Sequence, residues 1–143
     1  MMKAKRSIAV FVFLLCLASW SNALGQAKTH HVVFAVTSGE EEDWKLVMGN
    51  MRNLLKSFGD GPYEVELVAF GPGLMIVTNK STVAADIKAL QAQHVHFMAC
   101  ENSMRSRNVA VADLLPDVQP VPSGIVEVVT KQEQGWVYIK GGR

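Results

Sequence analysis

The chain has 143 residues, a length typical of one domain, and is 49% hydrophobic and 19% charged. Its 14 Lys and Arg residues nearly balance 13 Asp and Glu residues, which excludes a nucleic-acid-binding domain that works by bulk positive charge. The apolar fraction excludes a disordered chain, and two cysteines are too few for a disulfide framework or a four-thiolate zinc site.

The first 23 residues have the layout of a secretory signal peptide. Three basic residues within the first six precede an apolar run over residues 8–18, and Ser21-Asn22-Ala23 supplies a small-x-small cleavage site. The run is too short to cross a bilayer comfortably as a permanent helix. We therefore predict cleavage after Ala23, with Gly25 as the alternative end, and a periplasmic or secreted protein. An uncleaved membrane anchor is the alternative.

Cleavage would leave residues 24–143 as one 120-residue domain with a net charge of −2 and one cysteine, Cys100. That length can bury a core without covalent staples. An exported protein with one unpaired thiol is unusual, because export compartments favour disulfides. The Cys100 thiol is therefore buried and inert, paired between chains, or used chemically.

The first half of this domain alternates strand and helix patterns. Residues 31–36 form an apolar run typical of a strand buried on both faces. Ser38 and Glu41 have the spacing of a capping box at a helix start, and apolar residues then recur at helical spacing as far as Phe58. Residues 65–70 predict a second strand.

The next segment predicts a short helical turn over residues 74–77, followed by a helix capped by Ser81 or Thr82. Residues 95–99 predict a third strand, and Asn102 is a suitable N-cap for a short helix after it.

The C-terminal segment predicts a short fourth strand over residues 118–121 and a last strand over residues 136–139. Residues 123–134 between them have strand-like β-branched composition, yet a further parallel strand requires a crossover, so we predict a helix there. The order βαβαβαβαβ indicates a three-layer α/β sandwich around a mostly parallel five-stranded sheet.

Ligands of open parallel sheets bind beyond the carboxyl ends of the strands, so we expect the turns at residues 37–39, 71–73 and 100–102 to meet. Cys100 follows a strand and precedes a helix, whose free N–H groups favour a thiolate. Arg105 would add positive charge, and Glu101 would oppose it. The alternative is that Cys100 is a packing residue, since free cysteines are often buried.

Gly71 and Gly73 are predicted to bring backbone close to a ligand, with a tight turn as the alternative. No dinucleotide- or nucleotide-binding glycine motif occurs, and we predict no cofactor. His94 and His96 would share one face of a strand, but no third ligand is nearby and we predict no metal site. Four residues of strand separate His96 from Cys100 by roughly 13 Å, too far for a Cys–His couple.

Four segments resemble the DsrE/DsrF-like family of sulfur-relay proteins, and their order along the chain is more specific than any one of them. The resemblance covers about residues 31–140. The segments are FGPG (70–73), FMACENSM (97–104), VPSGIVE (121–127) and GWVYI (135–139).

The resemblance implies a flavodoxin-like domain that assembles into trimers or hexamers. It also implies that Cys100 accepts sulfane sulfur as a persulfide from a donor and passes it to an acceptor thiol. Asn102 matches the family's pattern after the cysteine, where we assign it a loop-shaping or capping role. Characterised relatives work in the cytoplasm, so an exported member would have other donors and acceptors.

Two functions follow from these observations. The first is an exported sulfur carrier or sulfurtransferase that uses Cys100, with Gly71, Gly73, Asn102 and Arg105 lining the site. The second is a non-catalytic oligomeric binding or assembly module in which Cys100 is structural. A small anion or phosphate-ester site at the same strand ends is a third interpretation. None of these involves nucleic acid, or a membrane after signal cleavage.

Overall fold

The computed structural model describes residues 28–142. The predicted signal peptide, residues 1–23, and both of its candidate ends lie outside the described residues. No helix within 28–142 is long and apolar enough to span a bilayer.

Residues 28–142 contain five strands and four α-helices that alternate along the chain. A 3₁₀ helix, Gly71–Val77, follows the second strand, and a shorter one, Val111–Asp113, precedes the fourth. In chain order the elements are β1 (His30–Val36), α1 (Glu41–Phe58), β2 (Tyr63–Ala69), α2 (Ala84–Gln91), β3 (Val95–Cys100), α3 (Glu101–Ser106), β4 (Gln119–Val121), α4 (Gly124–Glu133) and β5 (Val137–Gly141).

The strands form one sheet in the order β4-β3-β2-β1-β5, and every neighbouring pair is parallel. The chain adds strands in one direction from β1 to β4, and β5 then returns to the far side of β1. Because parallel crossovers are right-handed, this reversal places α4 on the opposite face of the sheet from α1 and α2. The predicted parallel α/β sandwich is confirmed.

Two apolar clusters fill the spaces on either side of the sheet. The large one joins alternate strand residues such as Phe34, Leu67 and Phe97 to the buried faces of α1 and α2. On the opposite face, Val128 of α4 packs on a small cluster. The buried members of that cluster are Val33, Ala35, Val68 and Val128, with Phe70, Met98 and Trp136 packed against them.

Two of the predicted helix starts are wrong by one or two residues. Helix α1 begins at Glu41 with Glu40 as its N-cap and has no side-chain cap. The hydroxyl of Ser38 donates to Asp43 Oδ2 at 2.6 Å instead of forming a capping box with Glu41. A contact with Asp43, five residues along the chain, therefore replaces the predicted capping box.

Helix α2 begins at Ala84 with Val83 as its N-cap, rather than being capped by Ser81 or Thr82. The Ser81 hydroxyl accepts the Val83 N–H at 3.3 Å, which makes a turn before the helix. The predicted helical turn at residues 74–77 is confirmed as the end of the 3₁₀ helix Gly71–Val77.

The helix predicted over residues 123–134 is confirmed as α4, Gly124–Glu133. Ser123 is its N-cap residue, and Gly135 follows its end with φ of 87°, a backbone conformation that favours glycine. The strand-like composition did not decide the structure, because the chain must cross from β4 at one edge of the sheet to β5 at the other.

Candidate functional site

The turns that follow β1, β2 and β3 meet at the carboxyl edge of the sheet, as predicted. The Gly73 N–H donates to the Thr37 carbonyl at 3.0 Å, which joins the turns after β2 and β1. The Gly71 N–H donates to Ser103 Oγ at 2.8 Å, which joins the turn after β2 to the first turn of α3.

Cys100 is the last residue of β3 and the N-cap of α3. Side chains alternate along a strand, and Ala99 belongs to the large cluster, so the Cys100 side chain points to the face that α4 covers. The residue is 4% exposed, but it belongs to neither apolar cluster of the described chain. Ser103, Gly124 and Asn102 supply hydrogen-bonding groups that face its sulfur.

Hydrogen-bond donors from two helix starts converge on this sulfur. Burial raises the pKa of the Cys100 thiol, but hydrogen bonds from the Ser103 hydroxyl and from the backbone N–H groups of Gly124, Ser103 and Asn102 lower it by more. The pKa of Cys100 consequently lies below that of an ordinary thiol. The predicted stabilisation by the helix after Cys100 is present, and α4 adds a donor that the sequence did not suggest.

Ser103 is a functional residue that our sequence interpretation missed. Its Oγ accepts the Gly71 N–H, which leaves its hydroxyl proton free to be donated to Cys100. The available signal was its position three residues after a strand-ending cysteine, because the first turn of the helix returns that side chain toward the sulfur.

Gly124 is the second residue that was missed. A Cβ at this position would lie 2.9 Å from the Phe70 Cβ, closer than real Cβ contacts. Only glycine lets the start of α4 lie against the end of β2, and that approach brings its N–H to Cys100. The sequence feature that indicates this role is a second strand-to-helix junction, from Val121 to Gly124, at the same edge of the sheet.

Gly73 has a packing role in the structure. It is buried, and a Cβ there would lie 2.3 Å from the Val36 carbonyl oxygen. The alternative of a tight turn accounts for it. Gly71 has φ of 56°, which favours glycine, and its N–H is already bonded to Ser103. Packing at Gly73 and backbone conformation at Gly71 therefore explain why glycine occupies these two positions, and a ligand contact at either stays a prediction.

The predicted roles of Asn102 and Arg105 also need correction. Asn102 is the second residue of α3 rather than its N-cap. The backbone N–H of Asn102 faces the sulfur, and its side chain does not cap the helix. Its side-chain oxygen accepts a hydrogen bond from Arg105. Arg105 is 66% exposed and also pairs with Glu101 at 3.8 Å, so its charge is directed along the surface of its own helix.

The two histidines do not share a strand face as predicted. His94 precedes β3 in a left-handed conformation with φ of 62°, whereas His96 lies within the strand and is exposed. Across residues 28–142, no group of three or more His, Cys, Asp or Glu side chains is placed to hold a metal ion.

A five-stranded parallel sheet with helices on both faces is consistent with the flavodoxin-like class of α/β proteins. Residues 30–140 match the model of the DsrE/DsrF-like family, and the chain belongs to that family. Its membership suggests a function of the sulfur-relay type.

A solved structure supports the same assignment. The chain is similar to the protein of unknown function MTH1491 from Methanobacterium thermoautotrophicum, with 32% sequence identity and a TM-score of 0.74. The match covers 78% of this chain and 98% of that one. No curated protein sequence matches the chain.

Proposed function

We propose that the protein carries sulfane sulfur as a persulfide on Cys100. The observation that supports this role is the set of four hydrogen-bond donors on one sulfur atom, which lowers the pKa of the thiol. The thiolate is the form of cysteine that attacks sulfur, so the site favours the reactive species.

The transfer consists of two thiol exchanges without net oxidation. The Cys100 thiolate attacks the outer sulfur of a donor persulfide R–S–SH, an S–S bond forms to Cys100, and R–S⁻ leaves. An acceptor thiolate R′–S⁻ then attacks the outer sulfur of the Cys100 persulfide, forms R′–S–SH and regenerates the Cys100 thiolate. The donor is therefore a persulfide and the acceptor is a thiol.

The experiment is peptide mass mapping after treatment of the purified protein with inorganic polysulfide, with Cys100→Ser as the control. We expect a gain of one sulfur atom on the peptide that contains Cys100, and its loss in Cys100→Ser. Polysulfide treatment that leaves this peptide unmodified in a folded protein would contradict the proposal.

The size of the donor provides a second test. Because Cys100 is only 4% exposed, a small polysulfide should react with it faster than a bulky aromatic disulfide does, relative to the rates of the same reagents with free cysteine. Equal relative rates would show that access to the sulfur is not restricted as the structure indicates.

A second candidate function is a non-catalytic assembly module of the same fold with a structural Cys100. The observation in its favour is a set of apolar residues that α4 leaves exposed, Ile125 at 57%, Val126 at 59% and Val129 at 46%. This candidate predicts a stable oligomer whose thiol does not react. Rapid reaction of the folded protein with a maleimide at neutral pH would contradict it.

Both candidates are compatible with a homo-oligomer, which we propose to be a trimer or hexamer, and with export of the chain. Residues 1–23 would direct the protein to the periplasm or the exterior. Intact-mass measurement of the exported protein should give a chain that begins at Leu24 or, for the alternative end, at Gln26. A chain that retains residues 1–23 would contradict the proposed cleavage.

A further inference from the structure

A carboxylate is buried beneath α4, away from Cys100. Glu66 lies on β2, and its side chain is 2% exposed. Its Oε2 is 2.8 Å from Lys131 Nζ, whereas its buried Oε1 has no hydrogen-bond partner. Lys131 is therefore the cation that compensates this carboxylate for the water it loses on burial.

Lys131 is held from three directions. Its Nζ lies 4.2 Å from the centre of the Trp136 ring and 3.7 Å from Glu127 Oε1, in addition to its contact with Glu66. Burial is the largest influence on the pKa of Glu66, and it raises this pKa. Lys131 and the charge of His96 lower the pKa of Glu66, whereas Glu127 raises it, so that it is raised on balance. These charges come from α4 and β3.

The same helix carries the amide that bonds the reactive sulfur. Seven residues separate Gly124 from Lys131, or about 10 Å along a helix axis. An α-helix of ten residues moves as a rigid unit over that distance, with Val128 packed on the sheet between the two ends. A contact that fixes Lys131 on β2 therefore also limits where the Gly124 N–H can lie.

We propose that Glu66 and Lys131 are positioning residues, whose buried ion pair holds α4 so that its first N–H reaches the Cys100 sulfur. The inference rests on the proposed function in that it concerns the thiolate that would carry sulfur. The hydrogen bond between the two charged groups suits this role because it is directional, and the buried Oε1 of Glu66 has no partner that could replace Lys131 if the helix shifted.

The test measures the pH dependence of Cys100 alkylation by iodoacetamide, which reports the thiolate fraction. In Lys131→Met the helix loses its attachment, the pH midpoint should rise, and the rate at pH 7 should fall about tenfold, the effect of losing one hydrogen bond to a charged group. Glu66→Gln keeps an acceptor for Lys131, so its midpoint should stay close to that of the unmodified protein.

The double variant Glu66→Leu with Lys131→Met separates positioning from charge. It removes one charge of each sign and leaves no unpaired buried carboxylate, so it should fold, yet it lacks the directional contact and its midpoint should still be raised. A folded double variant with the original midpoint would overturn the proposal.

The matched control is Arg52→Met, which removes a cation from the exposed pair of Arg52 and Asp86, 2.6 Å apart, between α1 and α2. Its midpoint should not change, and an equal rise there would also overturn the proposal. Alkylation does not require a persulfide. A negative polysulfide experiment would therefore reject the sulfur-carrier function and leave this result standing, and the reverse also holds.

Discussion

The lowered pKa of Cys100 results from individual hydrogen-bond donors rather than from a nearby cation. The predicted cation, Arg105, pairs with Glu101 and Asn102 on its own helix, whereas Ser103 and Gly124 contact the sulfur. Ser103 is central because it joins the turn after β2 to the cysteine through one hydroxyl group.

Replacement of Ser103 by Ala should therefore slow alkylation of Cys100 at pH 7 by about threefold to tenfold, because the thiolate loses one hydrogen bond. The pH–rate profile of alkylation is the measurement. Ser106→Ala is the control, since the Ser106 hydroxyl donates to the Ser103 carbonyl at 3.1 Å and not to the sulfur. Similar profiles for the two variants would show that the Ser103 hydroxyl has no particular role.

The lowered pKa of Cys100 also makes the stability of the fold depend on pH. Folding lowers this pKa, so the folded state favours the thiolate. The resulting stabilisation is fully present above the pKa of an unfolded thiol and is lost as pH falls through the folded pKa.

The free energy of unfolding of the unmodified protein, minus that of Cys100→Ala, should therefore increase with pH between those two pKa values. Urea unfolding under reducing conditions at a series of pH values measures this difference. A difference that stays constant or decreases across that interval would contradict the lowered pKa.

Among the elements, α4 links the core to the site. Its first residue bonds the Cys100 sulfur, its middle packs on the sheet through Val128, and Lys131 pairs with Glu66. The close approach of its first turn to Phe70 requires the absence of a side chain at Gly124.

Gly124→Ala should consequently destabilise the protein by about 1–3 kcal/mol, because the new Cβ would collide with Phe70. Gly49→Ala is the matched substitution within a helix, since the atom nearest to its Cβ is the flexible end of Arg52 at 3.9 Å. It should stabilise the protein by about 0.5–1 kcal/mol, the usual gain when alanine replaces a helical glycine. Urea unfolding gives both values, and equal effects would contradict the predicted collision.

The whole molecule exposes apolar surface that a single copy does not cover. Besides the residues on α4, Val137 is 60% and Tyr138 is 44% exposed on β5, which is an edge strand of the sheet. Exposed apolar side chains and an unpaired strand edge are features through which copies of a chain associate. These features support the proposed homo-oligomer.

Introduction of a charge on this surface should dissociate the oligomer. We expect Val126→Glu to reduce the mass measured by light scattering to that of a smaller species, because burying an unpaired carboxylate in an interface is costly. Leu46→Glu is the control, as Leu46 is an exposed apolar residue of α1, at 46%. Unchanged mass in Val126→Glu would place the interface elsewhere.

The order of the elements was predictable from the sequence because the patterns that define it are local. The apolar runs of β1 and β2 and the helical spacing of α1 each extend over a few residues. The meeting of three turns beside Cys100 was predictable as well, since parallel strands bring their carboxyl ends to one edge.

The remainder depends on distances between residues far apart in the chain. The sequence predicts a flexible turn residue at Gly73, and only the structure shows that the Val36 carbonyl lies against it. The sequence likewise predicts a cation near Cys100 at Arg105, and only the structure shows that Arg105 pairs with Glu101. Glu66 is the buried one of the two carboxylates on β2, but only the crossover of α4 explains how Lys131 comes to pair with it.

The class of fold, the family and the cysteine on which a function would depend follow from the amino-acid sequence, because periodicity and motif order are properties of the chain. The groups that face the sulfur follow from the folded structure instead. Ser103 is three residues from Cys100, but Gly124, and Gly71 which bonds Ser103, are more than twenty residues away, and hydrogen bonds form only between atoms that folding brings close together.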